Sequence, residues 1–384
     1  MKALRSIRDR HKPCRVAAQS TARRGAATFA FVALMLLLGG PASLRAQQPD
    51  AAPVNADATP EARALLREID SVSGHAILSG EHNYPNTGSL YSDRVFDLTG
   101  KYPAIFGQDF GFAGGDDKDS TLSRPAMIRE VIRQYRAGAV PALCWHEVPP
   151  TESEPVTFTG SILSHLTDAQ FHQLLTPGTE IHKHWEQQVD VVAGYLGELQ
   201  EAHVPVLFRP YHEMNGNWFW WGNRPGAEGS AALYRMLFDR FVHVHHLNNI
   251  LWVWNVAAAS SKSSPPAPYF PGAAYVDIVS MDTYRPFAQS DYESMLAIAG
   301  AHKPIALAEV GTLPTPEVLA KQPRWAYLMV WSEFETDHNT LEGLQQFFRS
   351  PHTINRGDVQ RQAPQFDPPT DVAPHNLSNV PAAH

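Results

Sequence analysis

Eight short apolar runs, separated by longer stretches with helical spacing, constrain this chain more than any other feature. They read "HAILSG" (75–80), "YPAIFGQD" (102–109), "VPALCWH" (140–146), "VPVLFRP" (204–210), "NILWVWN" (249–255), "VDIVSMD" (276–282), "PIALAEV" (304–310) and "AYLMVWS" (326–332). Each has strand length and is apolar on both faces, as strands buried between layers are. Among the intervening stretches, "SRPAMIREVIRQYRAG" (123–138) carries Pro near a helix start and Gly past its end. Residues 182–203 and 230–247 place apolar side chains three and four apart. Strands alternating with amphipathic helices imply a parallel sheet. Eight such units in roughly 290 residues fit a (β/α)8 TIM barrel forming a single catalytic domain. A doubly wound open sheet is the alternative, but no GxGxxG or GxxxxGK[ST] supports nucleotide binding there, and no short repeat of fixed period occurs.

The ends of the chain read differently. Residues 1–46 look like an export signal: a basic stretch, then the 13-residue apolar run "AATFAFVALMLLL" (26–38), then "SLRAQQ", which allows cleavage after Ala46. The run is shorter than the roughly 20 residues that span a bilayer. A secreted or periplasmic protein with no membrane association after cleavage is expected. Residues 47–60 read as a disordered linker, residues 61–356 as the catalytic domain and residues 357–384 as a Pro-rich tail. Without residues 1–46 the chain keeps 31 − 9 = 22 basic and 39 − 1 = 38 acidic side chains. That balance argues against nucleic acid or an anionic membrane as partner and suits a neutral substrate. Cys144 is then the lone cysteine, which leaves no disulfide within the chain and no zinc site built on cysteines.

The apolar runs share a habit: polar and aromatic residues gather at their C-terminal ends. These are Glu81, His82 and Asn83; Gln108 and Asp109; Trp145, His146 and Glu147; Arg209, His212 and Glu213; Trp254 and Asn255; Asp282 and Tyr284; Glu309; and Trp331. In a barrel all of these converge on the face that carries active sites. Two carboxyl groups stand out, Glu213 after the fourth run and Glu309 at the end of the seventh. A retaining glycosidase needs one carboxyl as acid and one as nucleophile, about 5–5.5 Å apart. Glu213 lies beside His212 and ahead of Trp218, Phe219, Trp220 and Trp221, so desolvation should raise its pKa and make it the acid/base. Glu309 leaves a buried strand, a rigid place for a nucleophile, and Arg209 or Tyr284 could donate to it and keep it ionised. Six of the nine Trp fall near this end (Trp145, Trp218, Trp220, Trp221, Trp254 and Trp331), where indoles could stack on sugar rings. Core filling is the plain alternative, most readily for Trp220 or Trp221.

The segment "RPYHEMNGNWFWWG" (209–222) strongly resembles the acid/base segment of glycoside hydrolase family 26, best known for endo-β-1,4-mannanases. "LCWHEVPP", "YFPGAAYVDIVSMDTY", "IALAEVG" and "FRSPHTINRGD" resemble further family segments in the right order, so the likeness spans roughly residues 65–358. The resemblance implies a (β/α)8 retaining glycosidase that needs no cofactor or metal. Glu213 would be its acid/base and Glu309 its nucleophile. His146, Trp145, Arg209, His212, Trp218, Asp282, Tyr284 and Trp331 would bind substrate. The implied partner is β-mannan or a related plant polysaccharide, cut by a monomer. Mixed-linkage β-glucan and β-1,3-xylan are the alternative polymers. A non-catalytic carbohydrate-binding barrel is the alternative of another class, but both carboxylates are present. A metal-dependent hydrolase using His82, His146, His212, Glu147 and Asp282 lacks the short fixed ligand spacing, such as His-x-His, that such sites show.

Overall fold

The computed structural model describes residues 52–113 and 121–358. Every expected run contains a strand: β1 in two pieces (Ile77–Leu78 and Gly80–His82), β2 (Ile105–Asp109), β3 (Val140–Trp145), β4 (Val206–Pro210), β5 (Ile250–Ala257), β6 (Ile278–Thr283), β7 (Ile305–Val310) and β8 (Trp325–Val330). Each pairs in parallel with the next, and Glu81 pairs with Val330, so β8 closes on β1. The outcome is the closed (β/α)8 barrel. A short β9 (Thr353–Ile354) adds to Ile77–Leu78 outside the ring.

The helical stretches form where their periodicity placed them. Arg124–Arg136 begins with Pro125 in its first turn, where the missing N–H costs nothing. Glu180–Glu201 starts at Thr179, whose hydroxyl accepts from the His182 N–H. Helix α1 (Pro60–Val72) opens the same way at Thr59, and it buries Ala62, Leu65, Leu66 and Ile69 with the residues filling the barrel interior. Residues 47–60, expected to be a disordered linker, are not one over the described part. The Val54 N–H donates to Asp277 at 2.7 Å, the Asn55 side chain donates to Asn248 at 2.9 Å, and the Thr59 N–H meets the Asn248 carbonyl. Polar, Pro-rich composition concealed these specific bonds. The expected signal, residues 1–46, lies outside the described residues, and so does the tail beyond Asp358.

Strand alternation then sorts the side chains. On β3, Val140 and Ala142 join the interior cluster, while Leu143 and Trp145 join the layer between strands and helices. On β5, Leu251 and Val253 face inward and Trp252 and Trp254 outward. The inward row continues at the C-terminal end with Arg209, Asn255 and Asp282, two residues beyond the interior Leu207, Val253 and Ser280. These ends build the mouth.

Candidate active site

Glu309 reaches the mouth through an irregularity. The β6–β7 register pairs Met281 with Leu307 but Asp282 with Glu309, so one residue, Ala308, is skipped. Such a bulge re-aims a side chain. It lets Glu309 follow the inward Ala308 into the lumen. There Arg209 Nη2 donates to Glu309 Oε1, and the Tyr284 hydroxyl donates to Oε2 at 2.5 Å. Burial opposes the charge on Arg209, but the carboxylates of Asp282 (2.7 Å from Nη1) and Glu309 outweigh it and hold the guanidinium protonated. Tyr284 is 44% exposed as a whole, but protein crowds its hydroxyl; that desolvation, followed by the Glu309 charge, pushes the phenol well up, so it stays a neutral donor. Glu309 is thus gripped by two donors, a guanidinium and a phenol.

Glu213 stands in a different setting. The chain leaves β4 through a turn in which Tyr211 (φ +48°) and Glu213 (φ +50°) both lie in the left-handed region, a strained choice for such residues. Asn255 holds that turn: its Oδ1 accepts the Glu213 N–H at 2.7 Å, while its Nδ2 donates to Asp282 at 2.7 Å and Ser280 at 2.9 Å. The Glu213 carboxyl accepts from Trp218 Nε1 at 2.7 Å. Trp218 lies flat because residue 216 is Gly; a Cβ there would fall 2.3 Å from its ring. Glu213 keeps an opening to the cleft, yet protein crowds its carboxyl. That desolvation, and then the Glu309 charge, raise its pKa from the ordinary carboxyl range to about 8, with Trp218 and Arg209 pulling the other way. One carboxyl therefore holds a proton at neutral pH, while the other sits against a guanidinium and a phenol.

A polar layer borders these groups. Buried Asp109 fixes His146, bonding Nδ1 through Oδ2 and the backbone N–H through Oδ1 (3.1 Å). His146 packs edge-on against His212 with ring centres 4.3 Å apart. Burial first, then His146 and Arg209, push the His212 pKa far down, so it is neutral and its Nδ1 carries no protein partner. Trp331 lies on His82 (4.0 Å, 16°) and donates to the Tyr84 hydroxyl, which donates to Glu333.

Arg209, Asp282, Tyr284, His146, His212, Trp218 and Trp331 are therefore brought together with Glu213 and Glu309. Trp145 is not. It is 1% exposed in the outer layer because β3 alternation turns Cys144 and His146 inward and Trp145 away. Trp254 faces the same layer and donates to the Tyr269 carbonyl. Trp220 and Trp221 are buried beneath the loop and tether the carbonyls of Glu147 and His212. Their role is to brace the Glu213 turn, not to face the cleft. Sequence reasoning left Asn255 and Asp109 out of the site; both stand at strand ends, and that position was the available signal. The metal set considered from sequence does not assemble. Among the described residues the one His/Cys/Asp/Glu group with metal-compatible spacing is His82, Asp109 and Cys144.

Comparison with known proteins agrees with this geometry. Residues 54–358 match the sequence profile of glycosyl hydrolase family 26. A mannan endo-1,4-beta-mannosidase of Thermothelomyces thermophilus is 30% identical over 321 residues, covering 80% of this chain and 63% of the relative. A mannan endo-1,4-beta-mannosidase of Bacillus subtilis is 27% identical over 352 residues, covering 85% of this chain and 94% of that enzyme. The chain thus spans less than two thirds of the first relative and nearly all of the second. Among solved structures, GH26A from Muricauda sp. MAR_2010_75 superposes with a TM-score of 0.76 at 39% identity, over 80% of this chain and all of that one.

Proposed function

Because the chain belongs to glycosyl hydrolase family 26, we propose that it is a retaining endo-β-1,4-mannanase in which Glu309 is the nucleophile and Glu213 the acid/base. The observation that carries this reading is the contrast between the two carboxyls. Glu213 is protonated up to about pH 8, and Glu309 is held by Arg209 and Tyr284.

In the first step Glu309 attacks the anomeric carbon of the mannosyl unit. The C1–O bond to the leaving chain breaks as Glu213 passes its proton to that oxygen. The glycosyl ester then carries no charge on Glu309. Since that charge is the second cause of the raised Glu213 pKa, ester formation lowers it, and Glu213, now a carboxylate, takes a proton from water in the second step. Water adds to C1, and Glu309 leaves with net retention. Arg209 and Tyr284 steady the nucleophile throughout. His146, His212, Trp218 and Trp331 line the sugar's place, and no cofactor enters the steps.

Mannan as substrate is supported by the names of both relatives. Export is supported by the basic stretch and short apolar run before Ala46. Among the described residues no helix is long and apolar enough to cross a membrane. Reducing-sugar release from linear mannan, galactomannan, mixed-linkage β-glucan and β-1,3-xylan tests the substrate. Mannan and galactomannan are expected to be cut. Activity confined to glucan or xylan would move the specificity, and none on any polymer would refute the reading.

A further inference from the structure

We propose that His82, Asp109 and Cys144 form a binding site for a thiophilic divalent cation, with Zn2+ as the reference ion, and that its occupation releases His146 from its anchor. The first half stands on geometry alone. The second rests on the mannanase reading, because it is observed through hydrolysis.

The three residues stand at or next to the ends of consecutive strands. Sheet register sets Asp109 directly opposite Cys144, and His82 opposite Gly107, two residues before Asp109 on the same inward row. All three are buried, at 0%, 2% and 0% exposure for Asp109, Cys144 and His82. Cys144 Sγ lies 3.2 Å from Asp109 Oδ2 and 3.6 Å from His82 Nε2, and all three atoms fall within 4.8 Å of one another. A tetrahedral zinc with ligands at about 2.0–2.3 Å keeps those ligands about 3.5 Å apart. Two sides of the triangle already have about that length and the third is no longer than 4.8 Å, and thiolate, imidazole and carboxylate are all ligands this ion accepts.

The surroundings suit such a site. The His82 ring is fully buried. Its Nδ1 faces Ser332 Oγ at 3.3 Å, so with the proton on Nδ1 the Nε2 lone pair points at the cysteine. Its ring is clamped under Trp331. Room for the ring exists because residue 107 is Gly: a Cβ there would meet Met329 Sδ at 2.3 Å and His82 Cδ2 at 3.0 Å. Charge also balances. Without metal the Cys144 thiol donates to Asp109 Oδ2. Binding breaks the S–H bond, sends that proton to solvent and forms the S–metal bond; thiolate and carboxylate then neutralise the two positive charges. The fourth position falls to water or to a shifted His146.

The consequence runs through Asp109. Its Oδ2 bonds both Cys144 and His146 Nδ1. An ion that takes this oxygen weakens the hold on His146, which packs against His212 beside Glu213. The full chain should be titrated with Zn2+ by calorimetry and with Co2+ by absorbance, beside Cys144→Ala and Cys144→Ser. Wild type is expected to bind the ion with proton release and to show a thiolate-to-cobalt charge-transfer band. Hydrolysis should fall about tenfold as the site fills. Both variants should lose the band and keep hydrolysing mannan in zinc. Equal binding by Cys144→Ala, or bound cobalt without the band, would place the ion on other histidines and overturn the site. Binding at Cys144 that leaves hydrolysis untouched would overturn the coupling to His146. If no polymer is cut even without metal, the band and proton release still decide the site.

Discussion

At the scale of single residues, the division between Glu213 and Glu309 rests on what surrounds each carboxyl. Glu309→Ala should lower kcat on mannan by at least about 10⁴-fold with circular dichroism unchanged. Full activity would remove Glu309 from the chemistry. The Glu213 pKa has consequences for rate and for stability. In the proposed mechanism the acid form serves the first step, so kcat/KM should fall as pH rises through about 8, and that limb should vanish in Glu213→Gln. For stability the sign is fixed by linkage. The folded state keeps this proton to about pH 8 and the unfolded chain loses it near 4.3, so between those values the folded state binds more protons and Glu213 lowers stability as pH rises. The melting temperature of Glu213→Gln relative to wild type should therefore increase from pH 5 to pH 8; a constant difference would deny the shift. Both carboxyls could be singled out in the sequence because each stands at or just past the end of an apolar run. The site aromatics were less so. Trp145 and His146 are neighbours in sequence, but a strand sends neighbours to opposite faces, and a density of Trp does not say which face each one takes.

At the scale of elements, the Glu213 turn and the β7 bulge matter most. Asn255 reaches from β5 to hold the left-handed Glu213 backbone while bonding Asp282, the partner of Arg209. Asn255→Ala leaves the Glu213 N–H without that partner and frees a strained turn. A cost of about 1–3 kcal/mol, expressed in kcat more than in KM, is expected. A rise in KM alone would make Asn255 a substrate contact instead of a brace. The bond could not be read from sequence, because it joins positions 42 apart, one in the turn after β4 and one on β5. Nor could the bulge, which depends on the pairing of Asp282 with Glu309 across β6 and β7. The same limit concealed the His82, Asp109 and Cys144 triangle, whose ligands come one from each of three strands and leave no short motif. Strand and helix positions, by contrast, followed from periodicity.

At the scale of the whole molecule, α1 closes the barrel opposite the mouth and separates stability from catalysis. Ile69, fully buried among the interior residues, should cost about 2–5 kcal/mol of stability when changed to Ala. Its kcat and KM at 25 °C should stay as in wild type; a change in either would mean that the plug shapes the mouth. The chain from residue 47 is acidic, with 22 basic against 38 acidic side chains, while a mannan is neutral. Long-range steering therefore has nothing to act on, and kcat/KM should be nearly flat with salt. These scales meet in the glycosyl-enzyme, and trapping it is the most direct measurement. The protein would be incubated with a 2-deoxy-2-fluoro-β-mannobiosyl fluoride, digested and sequenced by mass spectrometry. A single fluoromannobiosyl group on Glu309 is the predicted result. A label on any other residue, or hydrolysis with inversion and no label, would contradict it.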